Sequence, residues 1–104
     1  MSDSALMISV GQPIRHEDHL RMPEIGAEEH ARWARFKENG SVEGVREYAA
    51  IDGNTMQQIG FVILEGSKAQ IDALLEDPGF REVKMKYSAT FHNATFRRLG
   101  MMVD

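Results

Sequence analysis

Two hydrophobic spacings alternate along this chain, one typical of strands and one typical of helices. A short apolar run over residues 5–10 ends at Gly11, and this pattern predicts a first strand. Residues 15–22 are highly charged, and Pro23 and Gly26 follow them. Because proline and glycine disfavour a helix interior, we predict a loop or an irregular turn here.

The pattern in the middle of the chain predicts a helix followed by a β-hairpin. Apolar residues recur at helical spacing over residues 27–39, and Gly40 is placed to end a helix. Residues 43–51 alternate in polarity, and residues 52–54 read Asp-Gly-Asn, a turn sequence that tolerates positive φ. We therefore predict that a second strand pairs antiparallel with a third at residues 59–64.

The predicted third strand is apolar at every position, and this has a consequence for assembly. Leaving a large apolar side chain in water costs about 1.5–3 kcal/mol, so both faces of the strand need cover. The few helices of a short chain cover one face of an antiparallel sheet. We expect the second sheet to come from a partner subunit.

The C-terminal part predicts a second helix, an ambiguous segment and a last strand. Ser67 with Gln70 three residues on has the pattern of a capping box ahead of an apolar stripe. Residues 79–92 fit a helix and a half-buried strand about equally, and Asp77 followed by proline favours the helix. Residues 94–103 are predicted as the last strand.

Composition narrows the class of protein. The chain has 104 residues, of which 42% are hydrophobic and 27% charged, so we predict one folded domain over residues 1–104 and no membrane span. A formal charge of -4 argues against nucleic-acid binding, which needs a basic surface. The absence of cysteine excludes disulfides and thiolate sites, and it favours a cytoplasmic location.

The order of predicted elements is that of the ferredoxin-like split βαβ sandwich, an α+β fold with helices on one face of a four-stranded antiparallel sheet. Four segments resemble small uncharacterised bacterial members of the dimeric α+β barrel superfamily: Met7-Ile-Ser-Val-Gly-Gln-Pro-Ile-Arg15, Gly40-Ser-Val-Glu43, Gly60-Phe-Val-Ile-Leu-Glu-Gly66 and Asp77-Pro-Gly-Phe-Arg81. The resemblance implies a homodimer in which two sheets close into a barrel. It implies no single reaction, because the scaffold serves several activities.

The chain is also similar to YCII-like proteins of the same superfamily. That likeness implies a catalytic pair made of His30 in the first helix and Asp77 in the Asp-Pro pair. The family's Gly-Pro pair has no counterpart between Val45 and Ile51. A histidine at the margin of a core face is also consistent with a purely structural, hydrogen-bonded role.

Two polar residues of the predicted second strand are candidates for ligand binding. Arg46 and Tyr48 share a strand face, so they either line the barrel cavity or bond across the subunit interface. Trp33 is a candidate for the same cavity or for core packing. Tyr87 and His92 reach this cavity under one interpretation of residues 79–92. We expect a small apolar or anionic ligand, with a cofactor-independent monooxygenase or isomerase as the alternative.

Metal and cofactor chemistry receive little support from the sequence. His16, Glu17, Asp18 and His19 are close enough along the chain to share a metal, but two flanking arginines oppose a cation, and we interpret the segment as a solvated loop. The basic residues of the C-terminal third are interpreted as solvated charges. No nucleotide-binding or serine-hydrolase motif is present. We therefore predict neither a cofactor nor a metal.

Overall fold

A computed structural model describes residues 2–50 and 59–102. Four strands and four helices occupy these residues: β1 (Ser4–Val10), α1 (His16–Leu20), α2 (Met22–Glu38), β2 (Gly44–Ala49), β3 (Gly60–Gly66), α3 (Lys68–Glu76), α4 (Pro78–Thr90) and β4 (Thr95–Gly100). The α+β class is therefore confirmed.

The strands form one antiparallel sheet in the order β2-β3-β1-β4. The two central strands are β3 and β1, and the two edge strands are β2 and β4. This order, with helices connecting strands that do not follow each other in the sheet, is consistent with the predicted ferredoxin-like fold. The hairpin predicted at residues 52–54 lies outside the described residues.

The side chains of the sheet separate into two faces of different character. Leu6 pairs with Leu64 and Ile8 pairs with Val62, and these residues point towards the helices. The exposed fraction of Leu6, Ile8 and Leu64 does not exceed 1%. The largest fully buried side chains of the helices, Trp33 and Phe80 among them, pack on this face. The core therefore lies between the sheet and the helices.

The opposite face of the sheet, here called the open face, carries the alternate residues of the same strands. Met7 pairs with Ile63, and Ala5 pairs with Leu99. These four side chains and Phe61 are partly buried, and no helix within the described ranges covers them. The continuous apolar character of the third strand thus reflects one face against the helices and one face that is open in the single chain.

The first long helix begins five residues earlier than the sequence pattern predicts. α2 runs through both Pro23 and Gly26. Pro23 is tolerated because it lies in the first turn, where the amide N–H has no partner within the helix. The charged segment before it is also partly helical, because α1 fills residues 16–20.

The last two helices agree with the predictions. Ser67 Oγ accepts from Gln70 N at 3.1 Å, and Gln70 Oε1 accepts from Ser67 N at 2.8 Å, so the capping box is present. The ambiguous segment is helical, because Asp77 caps α4 by accepting from Phe80 N at 3.0 Å. Within the part of the chain that is described, no helix has the length and apolar character to cross a membrane.

Candidate ligand-binding cavity

A cavity of about 310 Å³ lies between α2, the C-terminal half of α4 and the helix-facing side of the sheet. Its lining is mostly apolar: Ile8, Val10, Met22, Ile25, Gly26, Glu29, Trp33, Glu47, Tyr48, Ala49, Ile59, Gly60, Phe61, Val62, Tyr87 and Phe91. A small volume with apolar walls and a few polar groups is typical of small-molecule sites. This cavity is the candidate functional site.

One face of α2 supplies a wall of the cavity. Met22, Ile25, Glu29 and Trp33 recur every three or four residues, so they lie one above another along the helix. Gly26 lies beside them, and a Cβ atom placed there would meet nothing within 4 Å. Glycine inside a helix costs about 0.5–1 kcal/mol relative to alanine. Gly26 therefore leaves open space beside the cavity at the expense of helix stability.

The polar centre of the cavity wall is a buried pair formed by Glu29 and Tyr87. The exposed fractions of these residues are 7% and 5%. The hydroxyl of Tyr87 donates to Glu29 Oε1 at 2.5 Å. Arg32 Nη1 lies 3.4 Å from Glu29 Oε1, and Lys86 Nζ lies 3.4 Å from Glu29 Oε2. A buried carboxylate needs such partners, and Glu29 has a phenol and two cations.

The environment of Tyr87 keeps its proton in place. Burial raises the pKa of Tyr87, and the hydrogen bond to Glu29 raises this pKa further. The phenol proton is therefore held on Tyr87 and directed at Glu29. Towards the cavity the oxygen of Tyr87 retains only its capacity to accept a hydrogen bond.

Aromatic rings surround this polar pair. The ring of Tyr87 contacts Trp33 at 6.3 Å and Phe91 at 5.6 Å between centroids, both in edge-to-face geometry. Trp33 is fully buried, and its indole Nε1 has no acceptor among the described residues. Buried donors are nearly always paired, so the wall at Trp33 departs from ordinary core packing.

A second carboxylate of the lining links α2 to the edge strand. His30 Nδ1 lies 2.6 Å from Glu47 Oε2. Glu47 pairs with Val62 in the sheet, which places it on the helix-facing side, whereas the side chain of His30 is 73% exposed. The histidine singled out from the sequence is thus a surface residue that holds a cavity-lining carboxylate.

The other half of the implied catalytic pair has a different position. Asp77 caps α4, and it borders a separate depression together with Asn39 and Gln70. Asp77 does not line the cavity under α2. The structure therefore gives Asp77 a local structural contact and brings it to no shared cavity with His30.

Arg46 and Tyr48 share a strand face, as the alternation of the strand predicts, and it is the open face of the sheet. Arg46 Nε lies 3.2 Å from Glu65 Oε1, and the ring of Tyr48 stacks on Phe61 with centroids 5.0 Å apart. The negative charge of Glu65 raises the pKa of Arg46 above its ordinary value, because it favours the charged guanidinium. Tyr48 also borders the cavity at the end of β2.

The remaining candidates are divided between the two faces. Trp33 and Tyr87 line the cavity on the helix side of the sheet, opposite Arg46. His92 is exposed in the turn before β4, where its amide N–H donates to the carbonyl oxygen of Gln12 at 2.8 Å. Trp33 and Tyr87 therefore line one cavity, whereas Arg46 lies on the opposite face of the sheet.

The charged segment at the start of the chain remains solvated. Three of the four residues His16, Glu17, Asp18 and His19 are exposed, and Asp18 lies 4.0 Å from Arg21 Nη1. In the described residues, no group of three or more potential ligands is arranged to hold a metal ion.

Glu29 is the functional candidate that sequence reasoning missed. It was hidden in a charged run, Glu28-Glu29-His30, that resembles an ordinary solvated surface. The available signal was its spacing: Ile25, Glu29 and Trp33 are four residues apart, so a carboxylate occupies the apolar stripe of the helix.

Comparison of the chain with models of known protein families, with curated protein sequences and with solved structures found no match. The fold and the cavity therefore define the class: an α+β protein with one four-stranded antiparallel sheet and an apolar cavity beneath its first long helix.

Proposed function

We propose that this protein binds a small, mainly apolar molecule in the cavity under α2. The observation that carries the proposal is the cavity itself, about 310 Å³ of space walled by apolar side chains around the buried Glu29 and Tyr87 pair. The cavity is partly open to solvent, and apolar surface that is left exposed in a cleft needs an explanation. A bound ligand provides one.

Binding is favoured over catalysis by the chemistry of the lining. Among the described lining residues there is no histidine, cysteine, serine or threonine side chain to act as nucleophile or proton shuttle. The buried carboxylate of Glu29 accepts from the Tyr87 phenol and contacts two cations, which are the contacts that a structural carboxylate needs. A cofactor-independent enzyme on this scaffold is therefore the less favoured candidate.

The same proposal includes a homodimer that covers the open face of the sheet. Four strands of six or seven residues present a face of about 20 Å by 19 Å. Two such faces together have a flat area of about 760 Å², so residues at the rim of the sheet would complete a specific interface of about 1,200 Å² in total. The apolar centre of the face, formed by Met7, Phe61, Ile63 and Leu99, would then be removed from water.

The charges around the open face also suit a second copy. Arg46 with Glu65 lies at the β2 side of the face, and Arg97 lies opposite Met7 at the β4 side. In a two-fold dimer whose axis runs along the strands, the β2 side of one copy meets the β4 side of the other. A second copy of the same face can pair with it, because the face carries both charge signs around an apolar centre.

The binding proposal is tested with a library of small apolar fragments and the fluorescence of Trp33. Trp33 is the one tryptophan of the chain and lines the cavity, so its emission reports occupancy directly. Gly26→Leu places a side chain beside the cavity and is expected to weaken fragment binding by about tenfold. Ala27→Leu, one residue away and exposed, is the matched control. Equal affinities in both variants, or no fragment that binds, would refute the proposal.

The dimer is tested by sedimentation at micromolar concentration. We expect a dimer mass for the wild type and a monomer mass for Ile63→Glu, which places a charge at the centre of the open face. Met85→Glu is the control, because Met85 is 73% exposed on α4, away from the sheet. A monomeric wild type would contradict the dimer and leave the cavity proposal intact.

A further inference from the structure

The polar atoms of the cavity wall restrict the chemistry of the molecule that it accepts. The ionisable side chains on the helix-facing wall are Glu29, Glu47 and the phenol of Tyr87, whereas Tyr48 at the rim directs its side chain to the open face. No lysine, arginine or histidine side chain is among the described lining residues. A ligand that enters the cavity therefore meets two carboxylates and a phenol rather than cations among the described lining residues.

The hydrogen-bond directions at the buried pair narrow the ligand further. The proton of Tyr87 is committed to Glu29 Oε1, so the phenol oxygen faces a ligand as an acceptor. The carboxylate of Glu29 contacts Arg32 and Lys86, and a carboxylate only accepts hydrogen bonds. Among the described residues, Lys86 Nζ at 3.4 Å is the partner of the second oxygen of Glu29, Oε2, which retains accepting capacity.

Arg32 and Lys86, the two cations that contact Glu29, do not turn the cavity into a site for anions. Neither Arg32 nor Lys86 lines the cavity, and both line a separate groove between α2 and α4. Their side chains are 23% and 45% exposed, so water screens their charges. Glu29 is 9% exposed at its side chain, so its carboxylate offers a ligand in the cavity a hydrogen-bond acceptor with little competition from water.

The apolar part of the lining suits the rest of such a ligand. Trp33, Tyr87 and Phe91 form a connected aromatic wall beside Glu29. Aromatic rings attract cations as well as hydrocarbon, and an ammonium group beside an aromatic ring gains from both. The cavity thus combines an acceptor for a cation with a surface for an apolar body.

We propose that the ligand of this cavity is a small hydrophobic amine, bound as its ammonium ion with N–H groups donating to Glu29 and to the oxygen of Tyr87. The inference rests on the proposed function and adds the chemical class of the ligand. It separates this cavity from a site for carboxylates or phosphates, because an anion would face Glu29 with no cation among the described lining residues.

The experiment uses three probes with one carbon skeleton: 2-phenylethylamine, 2-phenylethanol and phenylacetate. Each is titrated into the full chain at pH 7, and the fluorescence of Trp33 reports binding in the cavity. We expect the amine to bind at least about tenfold more tightly than the alcohol, and the acid to bind most weakly. A preference for the acid, or equal affinity for the amine and the alcohol, would overturn the inference.

Two variants connect the preference to the carboxylate. Glu29→Gln is expected to remove the preference for the amine over the alcohol while the alcohol still binds. Glu28→Gln is the matched control, because Glu28 lies next to Glu29 on the same helix, pairs with Arg21 at 3.8 Å and does not line the cavity. An amine preference that persists in folded Glu29→Gln would contradict the proposed contact.

The comparison of probes in the wild type remains decisive where Glu29→Gln does not fold. If the alcohol or the acid binds and the amine does not, the inference fails and the cavity remains a binding site. If none of the three probes binds and the fragment library also has no hit, the proposed function fails together with the inference.

Discussion

The hydroxyl of Tyr87 on α4 donates to the buried carboxylate of Glu29 on α2 at 2.5 Å, across 58 residues of sequence. This bond joins the two long helices over the sheet, and it forms the polar part of a wall that is otherwise apolar. Helix packing and the candidate site therefore depend on the same pair of residues. The stability of the protein and the chemistry of its cavity are coupled through it.

Removal of the phenol hydroxyl tests how much this bond contributes. We expect Tyr87→Phe to lower the free energy of unfolding by about 1–3 kcal/mol, because Glu29 would lose a buried donor. Urea denaturation followed by circular dichroism measures the change. Tyr48→Phe is the control, since Tyr48 is 49% exposed. Equal losses of unfolding free energy in the two variants would show that the hydrogen bond to Glu29 contributes no more than an exposed hydroxyl does.

The raised pKa of Tyr87 predicts a dependence of stability on alkaline pH. The folded-state pKa lies above the unfolded value of about 10, because burial and Glu29 favour the neutral phenol. The stabilisation is therefore fully present below pH 10 and is lost as the pH rises towards the folded pKa. We expect the stability advantage of the wild type over Tyr87→Phe to shrink between about pH 10 and 12. A constant difference in urea midpoints over that range would contradict it.

The capping box at the start of α3 predicts a local loss of stability. Ser67→Ala removes the acceptor for Gln70 N, and we expect a cost of about 1 kcal/mol. Thermal melting followed by circular dichroism measures it. Ser88→Ala, at an exposed position inside α4, is the control and is expected to leave the melting temperature unchanged or slightly raised. An unchanged melting temperature for Ser67→Ala would count against the cap.

An ion pair between α3 and β4 predicts an acid dependence. Arg98 lies 2.5 Å from Asp72, and Lys68 contacts the other carboxylate oxygen at 3.1 Å. Hydrogen bonds from Arg98 and then from Lys68 lower the pKa of Asp72. This contribution is fully present above the unfolded value of about 3.9 and is lost as the pH falls through the folded pKa.

Asp72→Asn tests this dependence. We expect the wild type to be more stable than the variant at neutral pH and low salt, and the two to converge in acid. Melting temperatures of both proteins from about pH 7 to pH 2 give the difference directly. The difference should also shrink at high salt, because the pair is solvent-exposed. A difference that grows on acidification would exclude the assigned cause.

Much of the local structure of this protein is predictable from the sequence because its signals act over a few residues. The capping box at Ser67 and the Asp77 cap act within one helical turn, so they locate α3 and α4 without tertiary information. The apolar run of β1 is equally local. The predicted start of α2 was wrong because Pro23 and Gly26 were taken to exclude a helix. A proline in the first turn is compatible with a helix, and packing outweighs the cost of one glycine.

The strand register was needed to determine on which face of the sheet each residue lies. Arg46 and Tyr48 were predicted to share a face, and they do, but alternation alone does not say whether that face meets helices or remains open. The continuous apolar pattern of β3 leaves this undetermined, because both of its faces look the same in sequence. Only the helices packed on Leu64 settle it.

The candidate cavity depends on the tertiary structure. Trp33 and Tyr87 were candidates for the barrel cavity, whereas they line a cavity on the helix side of the sheet, and Glu29 was hidden among charged neighbours. Its burial follows from the packing of α4 against α2, which supplies a phenol and a cation from residues 57 and 58 positions away. The sequence by itself determined the elements whose signals are local, such as β1, α3 and α4, and the tertiary structure decided the site, since its partners are distant along the chain.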